Sequence, residues 1–163
     1  DDLHVDLRNL TMGFIFPRRL TQKSQETLRR YETEGAADPK RMKEVQWWRD
    51  FARQGVTADA ARRSVAAFRD AFSILEKRLA STPWLTGDRL SVMDIAWFIS
   101  AHRLRLAGYP LDDHPRLNAW YNGLAARPAF AQEIRQPAAV SAITAGYRLY
   151  RRISGTTLRD IAA

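Results

Sequence analysis

The sequence contains no cysteine among its 163 residues. This absence excludes disulfide bonds, thiolate zinc sites and a cysteine nucleophile within the chain. A chain of this length can bury a hydrophobic core without covalent cross-links. We therefore expect a cytoplasmic location as the simplest case.

Long apolar runs are also missing. No segment approaches the roughly 18 consecutive apolar residues that a membrane-spanning helix needs, and the first residues include neither a basic leader nor an apolar signal core. The sequence therefore predicts a soluble protein that does not bind membranes. Because the chain begins at Asp1 without a methionine, we expect it to be a processed product or a piece of a longer protein.

Acidic residues are outnumbered, with 18 Asp and Glu against 26 Lys and Arg, so the formal net charge is +8. An excess of this size occurs in proteins that bind nucleic acids or anionic ligands. Here the arginines are spread along the chain beside acidic residues, and the one dense cluster is Arg148, Arg151 and Arg152. A solvated basic surface explains this pattern better, so we predict that the protein binds no nucleic acid.

Helical periodicity extends over most of the chain, without the period-two alternation of strands. One apolar stripe follows Thr57, a favourable N-cap, and another begins at Leu3. Their members are Val65, Phe68, Phe72, Leu75 and Leu79 in the first, and Leu3, Leu7, Leu10 and Phe14 in the second. We predict an all-α fold with one domain over residues 1–163, consisting of a helical bundle (1–153) and a polar tail (154–163).

Proline and capping residues predict where the early helices begin and end. Pro17 should interrupt the first helix, which we expect to continue over residues 20–31. Asp38 followed by Pro39 is typical of a helix start, and the helix that begins there should end at Gly55.

Ser91 and Asp94 form the clearest local motif. Their spacing matches a capping box, in which each side chain accepts a hydrogen bond from the backbone amide of the other residue. The same spacing serves the backbone rather than a reaction, so we assign the pair as a structural cap whose loss should cost about 0.5–2 kcal/mol. The apolar run Ile95–Ile99 that follows predicts a central helix enclosed by others.

The three histidines, His4, His102 and His114, do not have metal-ligand spacing with one another or with nearby carboxylates. We therefore predict no metal site. His102 lies one helical face from Ile95, so we expect it to be a partly buried imidazole with its hydrogen bond satisfied rather than a catalytic group.

Four motifs follow one another in the second half of the chain: Trp84-Leu85-Thr86-Gly87-Asp88, Leu90 to Ile95, His114 to Trp120, and Leu124 to Phe130. This series resembles the C-terminal domain of the glutathione S-transferase family. In that family a W-L-x-G-D loop precedes an S-x-x-D cap on the central helix, and P-x-L-x-x-W and R-P-x-x segments follow. The resemblance covers about residues 65–134 closely and implies the helical bundle of that domain.

The resemblance also implies a function for a parent protein. Family members join an N-terminal thioredoxin-like domain, which binds glutathione and supplies the thiolate-stabilising residue, to a helical C-terminal domain. No βαβ pattern precedes Leu3, so the resemblance implies that this chain has no catalytic residue and is inactive alone. Its parent would be a homodimeric enzyme that conjugates glutathione, as co-substrate, to a hydrophobic electrophile. Similar helical domains also act as non-catalytic protein–protein interaction modules, which is the alternative.

In such domains the first helix usually lines the electrophile cleft and contributes to the dimer. The positions turned away from its apolar stripe here are Arg8, Met12, Ile15, Phe16 and Arg19. The resemblance implies that the apolar ones line a substrate pocket, with an arginine nearby to orient an anion. Packing against the N-terminal domain or the dimer partner explains the same residues at least as well.

Overall fold

The computed structural model describes residues 3–162, and between them it contains helices and no β-strand. The helices are α1 (Leu3–Phe14), α2 (Arg18–Thr21), α3 (Gln25–Glu34), α4 (Pro39–Gln54), α5 (Ala58–Arg78), α6 (Val92–Ala107), α7 (Pro115–Ala125), α8 (Pro128–Glu133), α9 (Ala138–Ile153) and α10 (Leu158–Ala162). A 3₁₀ turn, Leu111–Asp113, precedes α7. The predicted all-α class is confirmed. None of the described helices has both the length and the apolar character needed to cross a membrane.

The main core lies where α1, α5 and α6 pack together. Their inward stripes follow the three- and four-residue spacing seen in the sequence, because those positions share one face of a helix. Leu10, Phe72 and Leu104, one from each helix, are fully buried. Helix α7 packs against the same core through its own apolar face, which includes Leu117 and Leu124.

A second, smaller core joins α3 to α4. It contains the buried residues Leu28, Val45, Trp48 and Phe51. A chain of buried and half-buried polar groups ties this pair of helices to the main bundle. Trp47 Nε1 donates to Asn9 Oδ1 at 2.8 Å, Asn9 Nδ2 donates to Ser64 Oγ at 3.0 Å, and Ser64 Oγ donates to Asp6 Oδ1 at 2.7 Å. Because these groups are paired, α4 can lie against α1 and α5 without leaving buried donors unsatisfied.

The helix starts predicted at Thr57 and at Asp38 are confirmed. The Thr57 hydroxyl accepts the amide of Ala60 at 3.2 Å, and an Asp38 carboxylate oxygen accepts the amide of Lys40 at 2.9 Å. Each side chain therefore satisfies a backbone donor that has no partner inside the helix.

The segment after Pro17 differs from the prediction of one helix over residues 20–31. The chain forms a single helical turn, Arg18–Thr21, and then a break before α3 begins at Gln25. Ser24 causes the second start, since its hydroxyl accepts the amide of Thr27 at 3.1 Å and acts as an N-cap.

The end of the chain also differs from the prediction of a polar tail over residues 154–163. Leu158 is completely buried, and α10 packs against α5. Asp160 Oδ2 accepts the amide of Thr157 at 2.8 Å, which caps this short helix. Two apolar residues, Leu158 and Ile161, are too few to give a periodic signal in the sequence, yet their spacing of three places both on the bundle side.

Candidate functional site

The start of α6 is organised by one buried carboxylate. Ser91 and Asp94 form a capping box in which Asp94 Oδ2 accepts the Ser91 amide at 2.9 Å and the Ser91 hydroxyl at 2.7 Å. The other oxygen, Oδ1, accepts the Leu85 amide and the Trp120 indole N–H, both at 3.0 Å. The carboxylate thus joins the loop before α6, the helix itself and α7.

The charge state of Asp94 fits this structural role. Burial by itself would raise its pKa, but the hydrogen bonds from Leu85, Ser91 and Trp120 outweigh burial and lower the pKa below the ordinary value of 3.8. The side chain is fully buried and both oxygens already accept two hydrogen bonds each. Asp94 is therefore ionised, and its hydrogen bonds hold the loop, α6 and α7 together.

An apolar groove with a volume of about 640 Å³ lies beside α6. Helix α6 contributes one wall, and α8 and the segment leading into α9 contribute the other. Its apolar lining consists of Ile95, Phe98, Ile99, Leu106, Ala129, Phe130, Ile134 and Pro137. Ile95 and Ile99 are 43% and 53% exposed, and Val92 extends the same helical face at 75%. We call the surface formed by these residues the α6 groove.

The exposed groove corrects the prediction that α6 is enclosed on every side. The face that carries Ala101 and Leu104 is buried, whereas Ile95 and Ile99 remain 43% and 53% exposed on the groove side. An exposed apolar groove on a helix is typical of a surface that contacts another molecule.

One polar pair, His102 and Tyr121, lies at the edge of the groove. His102 lines it, and its Nδ1 forms a hydrogen bond of 2.8 Å with the Tyr121 hydroxyl. Burial, with a smaller contribution from the Arg105 charge, lowers the pKa of His102 below 6.5. Burial also raises the pKa of Tyr121, although Arg105 opposes this shift. Both side chains are therefore uncharged at neutral pH, which suits the apolar surroundings.

The apolar residues predicted to bind substrate lie outside the groove and are divided between the two cores. Ile15 is buried in the main core with 7% exposure, and Phe16 packs against that core. Met12 packs against the core between α3 and α4. The structure therefore does not bring Met12, Ile15 and Phe16 together as the walls of one pocket.

The two arginines of the predicted set are also separated. The Arg8 guanidinium lies 5.3 Å from the centre of the Trp47 ring and 3.8 Å from Glu44. Arg19 is exposed on the short helix α2. Within residues 3–162, no group of three or more histidine or carboxylate side chains is placed to hold a metal ion.

The α6 groove was not among the predictions from the sequence, although one signal for it was present. Val92, Ile95 and Ile99 recur at steps of three and four along α6, outside the buried stripe that contains Asp94, Ala101 and Leu104. A second apolar stripe on a helix requires a second covering surface. The sequence could not say whether another part of this chain supplies that surface.

Comparisons with known proteins bear on the segment that contains the capping box and the α6 wall of the groove. The family model described as glutathione S-transferase, C-terminal domain, matches residues 58–123, from α5 into α7. Glutathione S-transferase 4 of Zea mays is 38% identical over 68 residues, which cover 40% of this chain and 30% of that protein. Glutathione S-transferase hmp2 of Hypomyces subiculosus is 36% identical over 64 residues, which cover 38% of this chain and 30% of that protein.

No solved structure matches the chain. The matched part of the chain spans 30% of the length of each of these two relatives, so the likeness concerns one segment of a transferase and not a whole one. The matched segment lies within an all-helical fold, and it includes the W-L-T-G-D loop and the cap that Ser91 and Asp94 form on α6. Residues 58–123 are therefore similar to the C-terminal domain of glutathione S-transferases.

Proposed function

We propose that this chain is the helical half of a glutathione transferase that conjugates glutathione to hydrophobic electrophiles. We further propose that the α6 groove is the surface on which the glutathione-binding half of that enzyme packs. The observation that carries the proposal is the exposed apolar face of α6, since it belongs to a helix inside the family match. Ordinary domain interfaces bury such faces, and burial contributes roughly 25 cal/mol for each Å² of apolar surface.

The chemistry of conjugation explains why two halves would be needed. The reaction requires a thiolate, stabilised by lowering the pKa of the glutathione thiol, and an electrophile held close to it. Within this chain the groups with a shifted pKa in and around the groove, His102 and Tyr121, are hydrogen-bonded to each other. The helical half would therefore contribute mainly proximity, with the electrophile held where its apolar surface meets the other domain.

The remaining parts of the proposal rest on the two transferase relatives. Glutathione would be the co-substrate, no resident metal would be required, and the parent protein would be a cytoplasmic homodimer. The five residues of the sequence prediction, Arg8, Met12, Ile15, Phe16 and Arg19, remain candidates for substrate contact only where their side chains reach the surface.

A second candidate function is a non-catalytic protein–protein interaction module. The same apolar groove favours it, because the groove suits an apolar protein surface irrespective of whether the partner binds glutathione. The two candidates differ in the activity they predict. If the chain is part of an enzyme, the parent protein conjugates glutathione to an electrophile; if the chain is an interaction module, the parent protein does not.

The test compares the 163-residue chain with the protein encoded by its full reading frame, using glutathione and an aryl halide. We expect turnover from the full protein and none from the 163-residue chain. In the full protein, Ile99→Asp should lower kcat/KM by at least about tenfold, because it places a charge in the domain interface. Ile74→Asp is the matched control, since Ile74 is 67% exposed on α5 and lies outside the groove.

Turnover by the 163-residue chain alone would contradict the division into two halves. Equal activities of the Ile99→Asp and Ile74→Asp proteins would remove the groove from the domain interface. An inactive full protein that forms a stable complex with another protein, sensitive to Ile99→Asp, would favour the interaction module.

A further inference from the structure

Four arginines line a second cavity, of about 290 Å³, away from the α6 groove. We call it the arginine pocket. It lies beside the C-terminal ends of α1 and α6 and is closed by α9 and α10. Its lining includes the arginines 148, 151, 152 and 159, one carboxylate, Asp160, and the uncharged residues Phe14, Ala107, Gly108 and Thr157.

Part of this positive charge has a structural use. Arg151 donates to the carbonyl of Gly13 at 2.7 Å and to that of Thr156 at 2.6 Å, and its guanidinium lies 4.0 Å from the centre of the Phe14 ring. Arg148 donates to the carbonyl of Leu106 at 3.0 Å. The carbonyls of Gly13 and Leu106 lie in the last turns of α1 and α6, where acceptors lack intrahelical partners and the helix dipole is negative.

Other donors in the pocket are not used. Arg151 Nε is buried and has no acceptor among the described residues. The guanidinium of Arg152, part of the same helix, has no hydrogen bond or ion pair with any of residues 3–161. Arg159 pairs with Asp112 at 2.7 Å, but both side chains are largely exposed, so this pair is weak. The pocket therefore contains more donors than acceptors.

The charges in the pocket do not balance either. Asp160 and Asp112 each offset one of the four arginines that line the pocket. The C-terminal ends of α1 and α6 contribute about half a negative charge each. Roughly one positive charge remains, and mutual repulsion of the guanidinium groups opposes their close placement unless an anion joins them.

We propose that the arginine pocket binds a small organic anion, whose phosphate or carboxylate group is held by Arg151 and Arg152. A planar guanidinium offers paired donors that match the oxygens of either group. The volume of about 290 Å³ is near the lower end of small-ligand sites, so an organic molecule fits as well as a bare ion. An extended polyanion needs a row of exposed cations along a surface, whereas these four arginines surround one cavity.

The experiment measures binding by calorimetry and thermal unfolding with three probes: phenyl phosphate, benzoate and inorganic phosphate. Sodium chloride at matched ionic strength controls for general screening. We expect saturable binding of one aromatic anion and a rise in Tm that chloride does not reproduce. Whichever of phenyl phosphate and benzoate binds more tightly identifies the anionic group.

The variant that tests the site is Arg152→Gln, because Arg152 is exposed and its replacement should leave the fold intact. We expect at least a tenfold weaker Kd for the preferred probe. Arg63→Gln makes the same charge change at an exposed position on α5 outside the pocket and should bind like the original protein.

Three results would overturn the proposal. The first is a Tm shift that chloride reproduces at equal ionic strength. The second is a Kd that Arg152→Gln and Arg63→Gln change equally. The third is a single-stranded oligonucleotide that binds more tightly than any small probe, since this would indicate a nucleic-acid surface. None of these results depends on transferase activity, so the proposed function and this proposal can fail separately.

Discussion

Replacement of Asp94 by alanine should be one of the most destabilising single changes in this protein. The carboxylate accepts four hydrogen bonds at 2.7–3.0 Å while it is fully buried. Two of the donors, the Leu85 amide and the Trp120 indole N–H, would lose their acceptor in the variant. A buried donor without a partner costs about 1–3 kcal/mol.

The size of the loss follows from these groups together. The variant leaves two buried donors unpaired and removes the cap, which is worth about 0.5–2 kcal/mol. Because such contributions do not add fully, we expect the free energy of unfolding to decrease by about 3–5 kcal/mol. That is a large share of the 5–15 kcal/mol typical of a domain. Urea unfolding at pH 7 measures the decrease. Ser91→Ala should cost only about 0.5–2 kcal/mol, and Asp88→Ala, at an exposed position in the same loop, serves as control.

The pH dependence gives an independent check. Because the folded state lowers the pKa of Asp94 below 3.8, the unfolded chain binds the proton first as the pH falls. The stabilisation by the carboxylate is therefore complete well above pH 3.8 and disappears as the pH falls through the folded-state pKa. The stability difference between the original protein and Asp94→Asn should shrink in acid. Two results would refute this account. One is a decrease of less than about 1 kcal/mol in the free energy of unfolding for Asp94→Ala. The other is a difference in the free energy of unfolding between the original protein and Asp94→Asn that stays the same as the pH falls.

Two further predictions concern the end of the chain and the edge of the groove. Leu158→Ala should lower the free energy of unfolding by about 2–5 kcal/mol, whereas Ile153→Ala, at 79% exposure, should change it little; similar values for both would argue against docking of α10. The pKa of His102 is lowered by burial and by Arg105, so the unfolded chain binds the proton more readily than the folded protein. The Tm of the original protein should therefore decrease as the pH falls below 6.5, and the Tm of His102→Gln should decrease less. Equal pH dependence of Tm in both proteins would exclude His102 as the cause.

Several features of the fold could be predicted from the sequence because they depend on residues close together in the chain. The helix starts at Thr57 and Asp38 each depend on one hydrogen bond, from a backbone amide two or three positions later to the capping side chain. The cap at Ser91 and Asp94 has the same short range. Amphipathic stripes are equally local, since residues three and four positions apart share a helical face.

The candidate sites depend on contacts between residues that are distant in the chain, so they could not be predicted before the packing of the helices was known. Trp120 lies 26 positions from Asp94, and Arg151 lies 138 positions from Gly13, yet each pair is joined by a hydrogen bond. The residues predicted to bind substrate were assigned by helical face alone, and the structure instead buries one of them, Ile15, in the main core.

The order of residues alone predicts that the chain is helical, which faces of its helices are apolar and where many of the helices begin. It did not determine which apolar face remains uncovered, because that depends on which other helices reach it. The α6 groove and the arginine pocket both lie between elements far apart in the chain. Their existence follows from packing, which sums many weak contacts over the whole molecule and leaves no short motif in the sequence.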